Sequence, residues 1–249
     1  MHPARKPTRV LPALAFLTAL ASTLPPKVSA GARPLGEPSS LVPAPARSGP
    51  LVAKRHLAYA AIGGAATWLA VEHENAASTA KAIDDSPLDA GGDLGNQYGR
   101  ASFLALGTAG LWTAGRIANN PNVTGAARDL ATGLLIDGAL VFALKTSIDR
   151  TRPNGEHWSF PSGHTASAFT VAPILNSRFG WRVGVPAYAL AIATGLGRVE
   201  EHWHFPSDVI AGATLGLIVG ETVARHSSMP HLPENLYVGS KGLGLQFDF

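Results

Sequence analysis

Cysteine is absent from all 249 residues of the chain. That absence excludes disulfide bonds, thiolate nucleophiles and zinc sites built on Cys ligands, and it leaves the redox state of the compartment open. A chain of this length, 46% hydrophobic, can bury a complete core. We therefore expect a single domain.

The first 30 residues contain no acidic side chain. Their early basic residues precede an apolar stretch, Leu11 to Leu24, and a small-residue end, Val28-Ser29-Ala30. This order predicts a secretory signal peptide, residues 1–30, cleaved after Ala30. An uncleaved membrane anchor is the alternative, although Pro12 and the short apolar core disfavour a stable span. Either interpretation predicts an extracytoplasmic protein of the periplasm or cell envelope.

The same segment explains the positive charge of the chain. It holds four basic residues, so its removal lowers the formal net charge by four units, from +3 to −1. The excess positive charge therefore belongs to the leader and gives no support for a nucleic-acid partner.

Beyond the leader, residues 31–55 are dense in Pro, Gly, Ala and Ser, which predicts a flexible linker. Residues 56–228 form the expected catalytic domain, in which apolar runs alternate with polar breaks and nothing alternates as a sheet would. The pattern predicts an all-α fold, a single bundle of about six core helices. The six runs are Leu57 to Val71, Ala101 to Gly115, Ala126 to Leu144, Thr165 to Ser177, Val183 to Gly197 and Val209 to Ala224.

Charged residues bear on whether these helices cross a membrane. Asp137 divides one run and Glu221 interrupts another, and none of the six offers the ~20 consecutive uncharged residues that a bilayer helix needs. This favours a soluble bundle over an integral membrane one. The abundance of Ala and Gly keeps the second alternative open, because small residues also serve tight helix packing in lipid.

Two segments outside the helical runs are also informative. The polar stretch Asp84 to Tyr98 is either a loop that covers a functional site or a plain solvated turn. The tail, residues 229–249, ends in the alternating pattern Leu243-x-Leu245-x-Phe247-x-Phe249, which predicts a short extended segment with one edge strand. A lone strand is marginally stable, so we expect it to dock elsewhere or remain loose.

Three motifs concentrate the chemistry of the chain between residues 145 and 208. They bring together three cations, two histidines and one carboxylate. A phosphate ester offers anionic oxygens to bind, a phosphorus to attack and a leaving oxygen to protonate, and this set suits each task. The motifs are Lys145-x6-Arg152-Pro153, Pro161-Ser162-Gly163-His164 and Arg198-x5-His204-x3-Asp208.

This ordered combination resembles the signature of the type 2 phosphatidic acid phosphatase superfamily. The superfamily includes lipid phosphatases, bacterial nonspecific acid phosphatases and vanadium haloperoxidases. One departure is visible, because the family's Ser before the third-motif Arg is Gly197 here. The change removes a hydroxyl and leaves Arg198 in register.

The resemblance implies covalent catalysis by histidine. His204 would attack phosphorus and become a phosphohistidine, while Asp208 holds its ring N–H, with helix capping as a further role for Asp208. His164 would protonate the departing alkoxide and then activate water, tasks that suit an acid of near-neutral pKa. His202 is a second candidate nucleophile, but the spacing from Arg198 selects His204.

The remaining motif residues are expected to bind phosphate. Ser162 and Gly163 precede a helix, whose N-terminal N–H groups can receive phosphate oxygens, and Ser162 adds a hydroxyl donor. Three cations, Lys145, Arg152 and Arg198, would neutralise the nonbridging oxygens. Arg150 lies outside the motif register and is expected to point to solvent. The scheme needs neither a metal nor another cofactor, and activity should survive chelators.

Four functions follow from this interpretation. The first is a metal-independent phosphatase acting on phosphomonoesters or diphosphates, lipid-linked as in phosphatidate or a polyprenyl diphosphate. The others are a soluble periplasmic acid phosphatase, a vanadate-dependent haloperoxidase on the same anchors, and a non-catalytic binder of phosphorylated lipid. The expected partners are the phosphorylated substrate and a membrane surface, with no nucleic acid; the oligomeric state is left open.

Overall fold

The computed structural model describes residues 54–85 and 95–226 and the backbone of 236–239 and 242–245. Within these ranges seven helices of nine or more residues form the domain, and the expected all-α class is confirmed. The predicted leader and most of the linker lie outside the described residues. The helices are α1 (Lys54–His73), α2 (Ala76–Asp84), α3 (Ala101–Ile117), α4 (Pro121–Ile148), α5 (Gly163–Phe179), α6 (Trp181–Glu200) and α7 (Pro206–Arg225).

Each of the six predicted runs lies within one of these helices, and α2 is an addition. Asn75 starts α2 by accepting a hydrogen bond from the backbone N–H of Ser78. In α4, Asn120 accepts from the N–H groups of Asn122 and Val123, and Pro121 occupies the first turn. Of the predicted loop Asp84 to Tyr98, residues 95–98 are helical, whereas 86–94 lie outside the described residues.

Helix α5 lies at the centre of the bundle, in contact with α4, α6 and α7. Small residues let α7 approach it closely, because a Cβ at Gly212 or Gly216 would fall within 2.5 Å of a carbonyl oxygen of α5 or its N-cap. The backbone N–H of Ser162, which precedes α5, also donates to the Asp208 carbonyl at 3.0 Å. The beginnings of α5 and α7 are thereby fixed side by side, and both carry motif residues.

The charges that favoured a soluble bundle face inward. Asp137 is fully buried and accepts a hydrogen bond from Ser167 of α5, and Glu221 pairs with Arg55 and Tyr59 of α1. The outward face of α4 instead exposes Leu135, Ile136, Leu140 and Phe142. By length and composition, α4 and α7 could each cross a membrane, and only 17% of the apolar window of α4 is buried within the protein. Because both carboxylates have partners within the protein, their charges alone do not exclude a membrane-crossing helix, and the soluble bundle stays a prediction.

The tail differs from the single edge strand that was predicted. Strands β1 (Leu236–Gly239) and β2 (Gly242–Leu245) pair with each other in antiparallel register. The predicted strand thus finds its partner in the segment just before it, which satisfies backbone groups that a lone strand leaves unpaired. Phe247 and Phe249 lie outside the described residues.

Candidate active site

His204 lies in the short connection between α6 and α7 and is 2% exposed. Its backbone N–H and that of Trp203 both donate to the Arg198 carbonyl at 3.1 Å, which fixes the turn. The ring Nδ1 lies 3.6 Å from Oδ2 of Asp208. With Nδ1 facing the carboxylate, the opposite nitrogen, Nε2, is the one left to meet a substrate.

Asp208 is fully buried and accepts hydrogen bonds at both oxygens. Its Oδ2 accepts from the Ser159 hydroxyl at 2.5 Å and from the Phe205 N–H at 2.9 Å, and its Oδ1 accepts from Arg150 at 2.8 Å. The bond from Phe205 caps the start of α7. Capping and contact with His204 therefore coexist in one side chain.

His164 is the second residue of α5 and is partly buried. The positive charges of Arg198, Arg100 and Arg152 and the imidazole of His204 act on it. The two imidazoles that the motifs predicted to cooperate, 40 positions apart in sequence, are thus brought within electrostatic reach of each other and of two predicted phosphate ligands.

Ser162 is engaged differently from the prediction. It is fully buried, and its hydroxyl shares a 2.9 Å hydrogen bond with the Thr165 hydroxyl, while its N–H is occupied by the Asp208 carbonyl. Its backbone N–H therefore joins the start of α5 to α7, while its hydroxyl bonds within the first turn of α5. A Cβ at Gly163 would lie 3.3 Å from Val141 and 3.8 Å from Cε of Lys145, so glycine brings the helix start close to α4.

The three predicted phosphate cations have partners that a substrate could displace. Arg152 pairs with Glu156 at 3.2 Å and Arg198 with Glu201 at 3.3 Å, and these two glutamates are 59% and 41% exposed. Lys145, in the last turn of α4, donates to the Trp158 carbonyl at 2.5 Å. Because the glutamate of each ion pair is open to solvent, the pairs contribute little stability, and a phosphate can compete for the two arginines at small cost.

Trp203 contacts both of the arginines that are predicted to bind phosphate, Arg152 and Arg198. The guanidinium carbons of Arg152 and Arg198 lie 5.1 Å and 5.0 Å from its ring centroid. Cation–π contact of this kind holds both guanidinium groups in place and leaves their N–H donors available. This residue was not among those predicted, although its position beside His204 in the third motif was a usable signal.

Arg150 does not point to solvent, contrary to the sequence-based expectation. It donates to Asp208 and, at 2.7 Å, to the Ser207 hydroxyl, forms an ion pair with Glu74, and stacks 4.2 Å over the Phe205 ring. The reason is that the chain turns back after α4 and carries Arg150 beneath the start of α7. The sequence interpretation missed Arg150, Glu74 and Ser159.

Three further observations concern imidazole and acidic side chains near the site. His202 is exposed, with a positive φ of 58°. Asp149 lies 3.3 Å from His157. Across residues 54–85 and 95–226, no three His, Asp or Glu side chains gather as a metal site would require.

Burial and the surrounding positive charges lower the pKa of His164 to about 3. Burial likewise lowers the pKa of His204 to about 4, against the opposing effect of Asp208. Both imidazoles are then neutral near pH 7 in the free protein, which suits a nucleophile and leaves the general acid without its proton. A bound dianion would counter these positive charges and raise the pKa of His164.

Oxyanion binding should therefore take up a proton. Between the lowered pKa of the free protein and the raised pKa of the complex, affinity rises as pH falls, by at most about tenfold per pH unit for each proton taken up. Sulfate is the probe, because it stays dianionic from about pH 8 to pH 5, and calorimetry in two buffers counts the protons. A flat sulfate affinity over this range would contradict the linkage, and His164→Ala should reduce the slope.

Comparisons with known proteins found similarity to one family model and to proteins named as phosphatases. Residues 126–228 match the model of the PAP2 superfamily. The lipid A 1-phosphatase of Porphyromonas gingivalis is 41% identical over 36% of this chain and 21% of its own. The lipid A 4'-phosphatase of Helicobacter pylori is 29% identical over 35% of this chain and 50% of its own.

Among solved structures, LpxE of Aquifex aeolicus aligns with 27% identity over 52% of this chain and 89% of its own, with a TM-score of 0.38. The chain spans no more than half the length of the two curated relatives named above. The family match begins within α4, so α1, α2 and α3 lie outside it.

Proposed function

We propose that this chain, whose residues 126–228 match the model of the PAP2 superfamily, is a phosphatase that hydrolyses phosphomonoesters or diphosphates carried on lipids. One observation carries the proposal. A buried His204, backed by a fully buried Asp208, lies in electrostatic reach of His164 among three cations with displaceable partners. Such an arrangement can bind an oxyanion, attack its phosphorus and protonate its leaving group.

The proposed reaction has two steps. Nε2 of His204 attacks phosphorus, the bond to the ester oxygen breaks, and His164 gives its proton to that oxygen. Asp208 stabilises the imidazolium that forms. Water then attacks the phosphohistidine, His164 takes the water proton, and the P–N bond breaks to release phosphate. The nonbridging oxygens are covered by Lys145, Arg152 and Arg198, which take the position that a divalent ion takes in many other phosphatases.

Two observations support a lipid substrate. The outward face of α4 exposes large apolar side chains, and this helix carries Lys145 in its last turn. A substrate whose phosphate lies at a membrane surface would meet the site from that apolar side. The relatives named as lipid A phosphatases act on phosphorylated lipids by their names, which agrees with this orientation.

The same proposal includes the sequence-based organisation. Residues 1–30 would be a leader, 31–55 a linker and 56–228 the catalytic domain, with residues 229–249 as a tail. The domain would then work outside the cytoplasm, in association with a membrane. Fractionation of the mature protein, with washing of membranes by salt and by detergent, tests this placement.

A substrate comparison tests the activity. The protein should hydrolyse phosphatidate in detergent micelles with a kcat/KM at least about tenfold above that for p-nitrophenyl phosphate, because apolar contacts add binding energy for the lipid. EDTA should leave both rates unchanged. Preference for the aryl phosphate would favour a soluble acid phosphatase, and loss of turnover in EDTA would contradict the cationic clamp. Peroxide-dependent halide oxidation after vanadate loading, without phosphatase turnover, would indicate the haloperoxidase.

A further inference from the structure

Glu74, between α1 and α2, reaches the active site from outside the family-matched region. Its side chain is 6% exposed. Its Oε2 accepts from the Ser207 hydroxyl at 2.6 Å and from the Ser207 N–H at 3.4 Å, and its Oε1 pairs with Arg150. A residue 133 positions away from Ser207 is therefore bonded to the first turn of α7.

Arg150 joins Glu74 to Asp208. One terminal nitrogen of its guanidinium pairs with Glu74, and the other donates to Oδ1 of Asp208 at 2.8 Å. The second oxygen of Asp208 lies 3.6 Å from Nδ1 of His204. Glu74, Arg150 and Asp208 thus form a line of polar contacts that ends at His204.

The charges along this line differ in sign from those on the other sides of His204. Lys145 of α4 and Arg198 of α6 act on the ring as positive charges, and His164 of α5 is a second imidazole within reach. Two carboxylates and one guanidinium carry a net charge of −1, which opposes those cations. Without Glu74, Arg150 would neutralise Asp208 alone, and the line would carry no net charge.

We propose that Glu74 is a positioning residue that acts on His204 through Arg150 and Asp208, keeping a net negative charge behind the imidazole. It fixes the orientation of Arg150 and takes a share of its positive charge. Asp208 then keeps the negative charge that stabilises the imidazolium of the phosphohistidine. The kinetic part of this inference rests on the proposed phosphatase function; the electrostatic part does not.

The test compares Glu74→Gln with Glu74→Asp in the full chain. The amide keeps the shape and removes the charge, so we expect kcat to fall about tenfold with KM changed by less than about twofold, and the pKa of His204 to fall by about one unit. Glu74→Asp keeps the charge and should restore part of kcat. NMR titration measures the pKa of the His204 imidazole, whose signal is assigned as the one missing from His204→Ala.

Asp129→Asn is the matched control. Asp129 of α4 is 1% exposed and pairs with Arg178 at 2.6 Å, in an ion pair of similar burial. It lies 16 residues before Lys145 on the same helix, about 24 Å away. Asp129→Asn should lower the unfolding temperature as Glu74→Gln does, yet leave kcat and the His204 titration unchanged.

Two outcomes would overturn the inference: a kcat and titration for Glu74→Gln that match those of Asp129→Asn, or a Glu74→Asp variant no better than Glu74→Gln. A wild-type protein that hydrolyses no phosphate ester would refute the proposed function instead. In that case the pKa of His204 in Glu74→Gln still decides the electrostatic part, since its measurement needs no turnover.

Discussion

Replacing His204 with alanine should reduce hydrolysis of every phosphate ester by at least about 10³-fold, because the nucleophile of a covalent mechanism has no substitute in the site. Oxyanion binding should survive, because the three cations predicted to bind phosphate, Lys145, Arg152 and Arg198, remain. Steady-state rates on phosphatidate and on p-nitrophenyl phosphate measure the first effect, and the sulfate titration measures the second.

His202→Ala is the matched control, because it removes an imidazole two residues away that is exposed and outside the site. It should keep nearly full activity. Rapid acid-free quenching of wild-type protein with labelled substrate should also trap acid-labile phosphate on the chain, and none on His204→Ala. Wild-type turnover in the His204→Ala variant, or labelled phosphate that persists in it, would contradict the assignment.

Features of the fold that depend on residues close together in sequence could be predicted, whereas contacts between distant residues could not. The helices followed from apolar runs, and the motif residues meet because the starts of α5 and α7 lie side by side. Helix α2 was missed because it is only nine residues long and contains a single large apolar residue, Ile83. Its start depends on the Asn75 cap.

Non-local partners explain the other errors. The orientation of Arg150 depends on Glu74, 76 positions earlier, and no spacing rule relates the two. The sequence likewise does not show the partners of Asp137 and Glu221, whose charges were counted against a membrane helix. A charge in an apolar run indicates cost only when nothing inside the bundle pairs with it.

His164→Ala should reveal the general acid through its dependence on the leaving group. An alkoxide such as that released from phosphatidate needs a proton as it departs, so its hydrolysis should fall by about 10² to 10⁴-fold. The p-nitrophenolate ion departs without a proton, so the first step on p-nitrophenyl phosphate should be slowed much less. The quantity to measure is the ratio of the two losses in kcat/KM, which reports the first step on each substrate.

The second step should then become limiting on the aryl substrate. Without His164 no base activates water against the phosphohistidine, so the variant should release about one nitrophenolate per chain in a rapid burst and then turn over slowly. His157→Ala is the control, since it removes a side chain that is 75% exposed on the loop beside the site. Equal losses on both substrates, with no burst, would show that His164 neither protonates the leaving oxygen nor activates water, and would assign it to oxyanion binding alone.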